Sequence, residues 1–222
     1  MSQSALDLPR HLDAHSTIYS QRPSSKELLS RYLGRHLGPS SMSEAERLLL
    51  AYGDIGGISQ AAAELPPTIL GVSESVAADL ALLRPLAEEF CRDALLKRDL
   101  LTSFSAVLSF LKSSMQHDAV ERVRILFLDS KNRLITDEVH TSGTVNHTSV
   151  YPREVARRAL IHNATAVILA HNHPSGDPQP SQNDISMTRT LVEALRPLDI
   201  VVHDHLVIGR NGHASFRSLG LI

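Results

Sequence analysis

The sequence lacks most of what marks a secreted, membrane-bound or nucleic-acid-binding protein. Its 222 residues include one cysteine, Cys91, which excludes an internal disulfide and favours a reducing compartment. No apolar run approaches the roughly 20 residues that span a bilayer, and the opening stretch MSQSALDLPRHLDAHS lacks the apolar core of a secretory signal. The net charge of −2 gives no electrostatic argument for nucleic acid or an anionic membrane as partner. We therefore expect a cytoplasmic protein that does not associate with membranes.

Histidine is the residue type that stands out. Hydrophobic residues make up 42% of the chain and charged residues 21%, which is typical of a globular protein with a core. Of the 12 histidines, nine lie at or after His117. Histidine chemistry is therefore expected in the C-terminal half.

The pattern of apolar and turn residues divides the chain into three parts. Residues 1–42 are polar and mixed, and we expect a mostly flexible arm, although SSKELLSRYLG is compatible with a short helix. Residues 43–100 contain short helical patterns broken by Pro66-Pro67 and Gly71, with no strand pattern before about residue 120. This predicts a small all-helical domain, followed by a second domain over residues 101–222.

The C-terminal part alternates between strand and helix patterns. ERVRILFLDS and RLITDEVHTSGT predict a hairpin, and the apolar run in TAVILAHNH predicts a buried central strand. YPREVARRALIHNA predicts a helix with Val155, Ala159 and Leu160 on its buried face, and SQNDISMTRTLVEALRPL predicts a second one. DIVVHDHLVIG and HASFRSLGLI complete the chain as two strands. The expected fold class is α/β, with a mixed β-sheet flanked by helices.

The stretch HNHPSGDPQPSQND contains a candidate metal site. His171 and His173 lie at the end of the predicted central strand, where side chains two residues apart point to the same face. After a loop rich in proline and glycine, Ser181 stands at a helix N-cap position and Asp184 in the first helical turn. Two histidines and one carboxylate form one of the ligand sets of catalytic zinc, which leaves a further position for water.

Two other interpretations of these residues remain open at this stage. Ser-x-x-Asp before a helix is also a capping box, which is a common structural feature. A second His-x-His occurs at His203-Asp204-His205, but no Ser-x-x-Asp follows it, and Asp204 would face the other side of a strand. We expect Asp204 and His205 to be structural or to orient the metal ligands through hydrogen bonds. Four other histidines show no ligand spacing and are expected at the surface or in loops: His140, His147, His162 and His213.

The motif resembles that of the JAMM (MPN-plus) metallohydrolases, which is His-x-His-Pro followed by Ser-x-x-Asp. Together with SGTVNHTSVYPREVARRAL and HDHLVIG, it is similar to the bacterial RadC-like branch over about residues 100–222. The resemblance implies a JAMM/MPN fold with cytidine-deaminase-like layering. It also implies that His171, His173 and Asp184 bind one zinc ion per chain, and that Ser181 helps to hold the oxyanion of the substrate.

The resemblance further implies a glutamate from an earlier strand as general acid/base, and Glu138 in RLITDEVH occupies that place. Without the resemblance, Glu138 would be interpreted as a strand carboxylate on a solvated face. Zinc makes hydroxide available near neutral pH, and a carboxylate can carry the proton to a leaving amine. The implied activity is that of a metallopeptidase or isopeptidase acting on a protein or peptide. The alternative is a non-catalytic scaffold or a DNA-associated accessory protein.

Residues 43–99 resemble the helix–hairpin–helix-like region that precedes RadC-like domains. Such hairpins bind DNA phosphates through backbone N–H groups in glycine-rich turns. The candidate turns are YGDIGGIS and LGVSES, and the second has Ser73 where a glycine is expected. The region contains five basic residues against ten acidic ones, which disfavours neutralisation of phosphates. A docking or packing role is therefore favoured over DNA binding.

Overall fold

The computed structural model describes residues 23–96, 99–140 and 150–222. The chain divides into two compact units, Met1–Ile55 and Gly56–Ile222. The predicted domain bounds at residues 42/43 and 100/101 differ from this division and stay a prediction. None of the helices in the described residues has the length and apolarity needed to cross a membrane.

The described part of the first unit contains the α-helices α1 (Ser25–Leu37) and α2 (Ser41–Tyr52). Ser24 begins α1 as an N-cap, because its side chain accepts a hydrogen bond from a backbone N–H of the first turn. Leu33 of α1 and Leu48 of α2 are completely buried. The short helix allowed for SSKELLSRYLG is thus present within the segment predicted as a mostly flexible arm.

The second unit contains the remaining helices and all described strands. Their bounds in chain order are α3 (Ile55–Glu64), α4 (Pro67–Leu70), α5 (Glu74–Ala81), α6 (Leu83–Leu95), α7 (Phe104–Met115), β1 (Val123–Leu128), β2 (Leu134–His140), α8 (Pro152–Ile161), β3 (Ala166–Asn172), α9 (Gln182–Leu195), β4 (Val201–Gly209) and β5 (Gly212–Ser215). Pro67 begins α4, and Gly71 ends it in the left-handed conformation with φ 73°. Both predicted helix breaks are therefore confirmed.

The five strands form one mixed sheet in the order β2-β1-β3-β4-β5. Only the β3–β4 pair is parallel, and the β1–β2 hairpin and the β4–β5 pair are antiparallel as the turn residues predict. The middle strand β3 is buried at every position, which explains its continuous apolar sequence. The predicted α/β class with a mixed sheet flanked by helices, after an all-helical region, is confirmed.

Each face of the sheet has its own core. One face packs against α7 and the end of α6, with Phe110 at its centre. The other face packs against α8 and α9, through Val155 and Ala159 on α8 and Leu191 on α9. Leu160 is 55% exposed, contrary to the prediction, because it lies one residue beyond Ala159 and so turns about 100° away from the contact.

Buried ion pairs connect α6 to the sheet on the α7 side. Arg124 of β1 bonds Asp137 of β2 at 2.5 Å and Glu88 of α6 at 2.9 Å. Arg92 of α6 also bonds Asp137, whose side chain is only 2% exposed. The neighbouring carboxylate, Glu138, points to the opposite face, because successive residues of a strand alternate.

Candidate metal centre

His171 and His173 converge at the carboxyl end of β3. His171 is the second-last residue of the strand, and His173 follows its end while its backbone N–H still donates to the Ile208 carbonyl at 2.9 Å. The two imidazoles therefore keep the same-face orientation that the sequence predicts. Their Nε2 atoms lie 2.9 Å apart.

Asp184 approaches the same point from the first turn of α9. Its Oδ1 lies 3.7 Å from His171 Nε2, and its Oδ2 lies 3.7 Å from His173 Nε2. Four zinc ligands at about 2.0–2.2 Å would place neighbouring donors roughly 3.3–3.6 Å apart in a tetrahedron. The observed separations of 2.9–3.7 Å bracket that range, so this group fits a small cation and can hold a metal ion.

The loop over residues 174–180 holds the second histidine. His173 Nδ1 donates to the Asp177 carbonyl at 2.7 Å, because a carbonyl oxygen can only accept. Because the Asp177 carbonyl binds the Nδ1 side of the ring, the other ring nitrogen of His173, Nε2, faces Asp184. Gly176 turns the loop with φ 89°, a conformation that favours glycine.

His171 is held in place by a hydrogen bond with His205 of β4. His171 Nδ1 lies 2.8 Å from His205 Nε2, and His205 Nδ1 lies 2.6 Å from the Thr188 hydroxyl. The His205 and Thr188 side chains are completely buried. The structure thus brings His205 against a candidate ligand, as expected. Sequence reasoning missed Thr188, whose one signal is a polar residue on the buried stripe of α9.

Of the two roles expected for Asp204, the structure shows the structural one, because its carboxylate bonds to groups away from the candidate ligands. Its carboxylate accepts hydrogen bonds from the Ser215 hydroxyl at 2.6 Å and from the backbone N–H groups of His205 and Arg217. As the residue next to His205 on β4, it faces the opposite side of the sheet. Its role in the structure is to join β4 to the end of the chain.

Burial and charge set the protonation of the three candidate ligands. Burial lowers the pKa of His171 to about 4, against an opposing effect of Asp184. The facing Asp184 carboxylate raises the pKa of His173. Burial alone would raise the pKa of the Asp184 carboxyl, but His173, His171 and Ser181 together hold it well below its usual range. At neutral pH His171 is therefore a neutral imidazole with one ring nitrogen free to bind a metal, and Asp184 is an anion, as metal binding requires.

Ser181 forms a complete capping box with Asp184. Its hydroxyl oxygen accepts from the Asp184 N–H at 3.2 Å, and its own N–H donates to Asp184 Oδ2 at 2.7 Å. The capping interpretation is therefore realised, and it also orients the Asp184 carboxylate. Because the hydroxyl accepts this bond, its hydrogen is left to donate elsewhere.

Glu138 faces the same side of the sheet as His171, but its carboxylate is bound to α8. Arg158 binds it with two nitrogens, Nη2 and Nε, the latter at 2.7 Å, and His162 Nε2 lies 2.7 Å away. His140 Nε2 lies 3.5 Å from Oε2, the oxygen that Arg158 Nε also binds. The contacts with Arg158, which is the largest cause, and with His162 lower the pKa of Glu138 to about 2. No contact with a described residue joins Glu138 to the three candidate ligands.

Two histidines near Glu138 were predicted at the surface or in loops; this is wrong for His140, which lies half-buried in β2, whereas His162 lies in the turn after α8. The side chains of His140 and His162 are only 20% and 21% exposed. His140 shares a face of β2 with Glu138, and His162 follows Arg158 by one helical turn. His213 is exposed, as predicted, and His147 lies outside the described residues.

The candidate DNA-binding turns are used for helix ends. Gly53 and Gly71 each end a helix with positive φ, at 86° and 73°. Ser73, the residue in place of an expected glycine, is the N-cap of α5 and accepts from the Val76 N–H. The side chain of Ser73 is thus committed to starting a helix.

Comparison with known protein families identifies the domain that contains this site. The family model of the RadC-like JAB domain matches residues 101–221, which is more than half of the chain. The matched region contains the whole sheet, α7 to α9 and all the site residues described above.

Proposed function

The chain belongs to the family of RadC-like JAB domains, and on that premise we propose that it is a zinc-dependent hydrolase of amide bonds. The proposal rests on one observation. The ligand atoms of His171, His173 and Asp184 lie close enough to one another to bind a single metal ion. The substrate would be a protein or peptide, cleaved at a peptide or isopeptide bond. Zinc at this site would supply hydroxide near neutral pH.

The residues around the site have distinct roles in this proposal. His171, His173 and Asp184 hold the ion, and the loop over residues 174–180 fixes their geometry. The free hydrogen of the Ser181 hydroxyl donates to the oxyanion of the substrate, an interaction worth on the order of 3 kcal/mol in other oxyanion holes. Glu138 accepts a proton from the attacking water and returns it to the leaving amine.

The role of Glu138 requires a change in its contacts. A carboxylate with a pKa of about 2 is a weak base at neutral pH, and its oxygens are occupied by Arg158 and His162. Release from Arg158 would raise the pKa toward the ordinary value and free the side chain to turn along the sheet face it shares with His171. We propose that Glu138 is released from Arg158 when the substrate binds.

The test is cleavage by the full chain loaded with zinc. The probe is a library of internally quenched peptides that contains both linear peptide bonds and lysine-linked isopeptide bonds. We expect cleavage that is abolished by a chelator and by Glu138→Gln, while Glu138→Gln still binds zinc. Cleavage that survives chelation would contradict the proposal.

One observation favours a second function, that of a non-catalytic scaffold. The candidate base is held in a bidentate ion pair, an arrangement that favours a static carboxylate. In that case the zinc-loaded chain would cleave no member of the library, although it binds zinc.

A further inference from the structure

We propose that Thr188 is a positioning residue of the metal centre, because its hydroxyl fixes which ring nitrogen carries the proton in His205 and in His171. The inference rests on the proposed function, since it explains how His171 presents a lone pair to the metal. It concerns a residue that touches the site only through the backbone of Asp184 and the ring of His205.

The chain of hydrogen bonds begins at a group that can only accept. Thr188 Oγ1 lies 2.6 Å from the Asp184 carbonyl oxygen and 2.6 Å from His205 Nδ1. A hydroxyl has one hydrogen, and two oxygens at this distance with no hydrogen between them would repel each other. The hydroxyl hydrogen therefore points to Asp184. Thr188 must accept its second bond, and His205 Nδ1 must carry a proton to donate it.

The next bond follows from the first. His205 is completely buried, which disfavours a charged imidazolium, and a neutral imidazole carries one proton. With that proton on Nδ1, His205 Nε2 is an acceptor. Its partner at 2.8 Å, His171 Nδ1, must therefore be the donor.

The metal-facing atom is thereby left with a lone pair. A neutral His171 with its proton on Nδ1 has an unprotonated Nε2, and this atom faces Asp184 and His173. If the chain ran in the opposite direction, Nε2 would carry the proton and could not bind a metal. The Asp184 carbonyl prevents the reversal because it has no hydrogen to give.

Asp184 thus contributes to the site in two ways. Its carboxylate is a candidate ligand, and its carbonyl anchors the chain of hydrogen bonds that orients another ligand. Thr188 connects the two, since it lies one helical turn after Asp184 on the buried stripe of α9. Loss of such outer partners of a metal ligand typically costs about 10- to 100-fold in metal affinity.

The experiment uses the full chain in two measurements. In metal-free protein labelled with ¹⁵N, long-range ¹H–¹⁵N spectra report the tautomer of each histidine. We expect the Nδ1–H form for both His171 and His205 in the wild type. Competition with a chromogenic chelator then gives the affinity for Zn²⁺, and we expect Thr188→Val to weaken it about 10- to 100-fold.

Two variants control for effects on the helix itself. Thr188→Ser keeps the hydroxyl and should restore both the tautomers and the affinity. Thr190→Val removes an exposed hydroxyl from the same helix that likewise donates to the carbonyl four residues before it, and should change neither. Equal zinc affinity in Thr188→Val and Thr190→Val, or an Nε2–H tautomer of either histidine in the wild type, would overturn the inference. If the wild type binds no zinc, the proposed function fails, and the metal-free spectra still decide the role of Thr188.

Discussion

Each of the three candidate ligands is held by a further hydrogen bond, the two histidines through the ring nitrogens that face away from the candidate metal position and Asp184 through its Oδ2. His173 is bonded to the loop carbonyl of Asp177, His171 to His205, and Asp184 to the N–H of Ser181. These contacts limit the rotation of the side chains before any ion binds, which reduces the cost of ordering them around it. The capping box that competes with the metal interpretation in the sequence is therefore part of the same arrangement.

The ion pair of Glu138 predicts a pH dependence of stability. Its pKa is about 2 in the folded protein, below the ordinary 4.5, so its stabilising effect is complete above about pH 4.5 and is lost as the pH falls toward 2. Glu138→Gln should therefore lower the free energy of unfolding near pH 6 by up to about 3 kcal/mol and have much less effect near pH 3. Urea unfolding of the metal-free protein at both pH values measures the difference.

Arg158 is the largest cause of the lowered pKa of Glu138, so a substitution of Arg158 provides the control. In an Arg158→Gln background, the Glu138→Gln change should lose most of its pH dependence. A cost of Glu138→Gln that is the same at pH 6 and pH 3 in the wild-type background would contradict the assigned ion pair.

A second prediction concerns the carboxylate next to Glu138. Asp137 is almost completely buried between Arg92 and Arg124, and its removal would take one of the two carboxylate partners of the buried Arg124 guanidinium, leaving it paired with Glu88. We expect Asp137→Ala to destabilise the protein by about 3–5 kcal/mol, measured by urea unfolding. Glu154→Ala, which breaks an exposed ion pair with Arg157, should have a much smaller effect, because water and salt screen exposed charges. Equal effects of the two changes would show that the Asp137 network is not buried in solution.

At the scale of elements, the site depends on how closely β4 approaches the loop between β3 and α9. A Cβ added to Gly209 would overlap the Gly176 carbonyl oxygen and lie 3.0 Å from the Pro178 nitrogen. Both are backbone atoms, which cannot move away without displacing the loop. The loop carries the carbonyl that holds His173 and leads directly into α9.

Gly209→Ala is therefore expected to weaken zinc binding as well as folding. Overpacking of this kind typically costs about 1–3 kcal/mol, and the displaced loop should increase the Zn²⁺ dissociation constant. Gly212→Ala is the matched control, since its added Cβ would meet only a Pro178 side-chain carbon at 3.7 Å, an ordinary contact. Both variants are compared by thermal unfolding and by chelator competition. Zinc affinity of Gly209→Ala equal to that of Gly212→Ala would contradict the role of the loop.

The elements that the sequence predicts correctly are those whose pattern is local. β3 has a continuous apolar run, Gly71 ends a helix by its own backbone freedom, and the site motif spans one strand end and the next helix start. Short connections of this kind fix the relative positions of their ends, so His171 and Asp184 could be placed together in advance.

The contacts that sequence reasoning missed are those between residues far apart in the chain. Arg158 meets Glu138 from another element, 20 residues away, and Thr188 meets His205 from another element, 17 residues away. Strand and helix periodicity shows which face a residue occupies but not which side chain it meets there. The spacing of histidines in the sequence did not reveal the position of His162 for the same reason, because His162 contacts Glu138 and belongs to no local pattern.

At the scale of the whole molecule, charge predicts how the chain behaves toward DNA. The net charge is −2, and the helical region over residues 43–99 is acidic. Non-specific affinity for DNA comes largely from the neutralisation of phosphates by lysine and arginine. We expect no mobility shift of duplex DNA by the full chain near physiological ionic strength. A shift that weakens as salt is added would contradict this expectation and revive the DNA-associated alternative.

The central claim is that His171, His173 and Asp184 form one metal site in each chain. The most direct test is the metal content of the purified full-length protein, compared with Asp184→Ala and with Asp177→Ala. Asp177 is the control because it contacts His173 through its backbone carbonyl, which the substitution retains. We predict about one zinc per chain in the wild type and in Asp177→Ala, and its loss in Asp184→Ala. A folded wild type without zinc, or an Asp184→Ala variant that retains it, would contradict the claim.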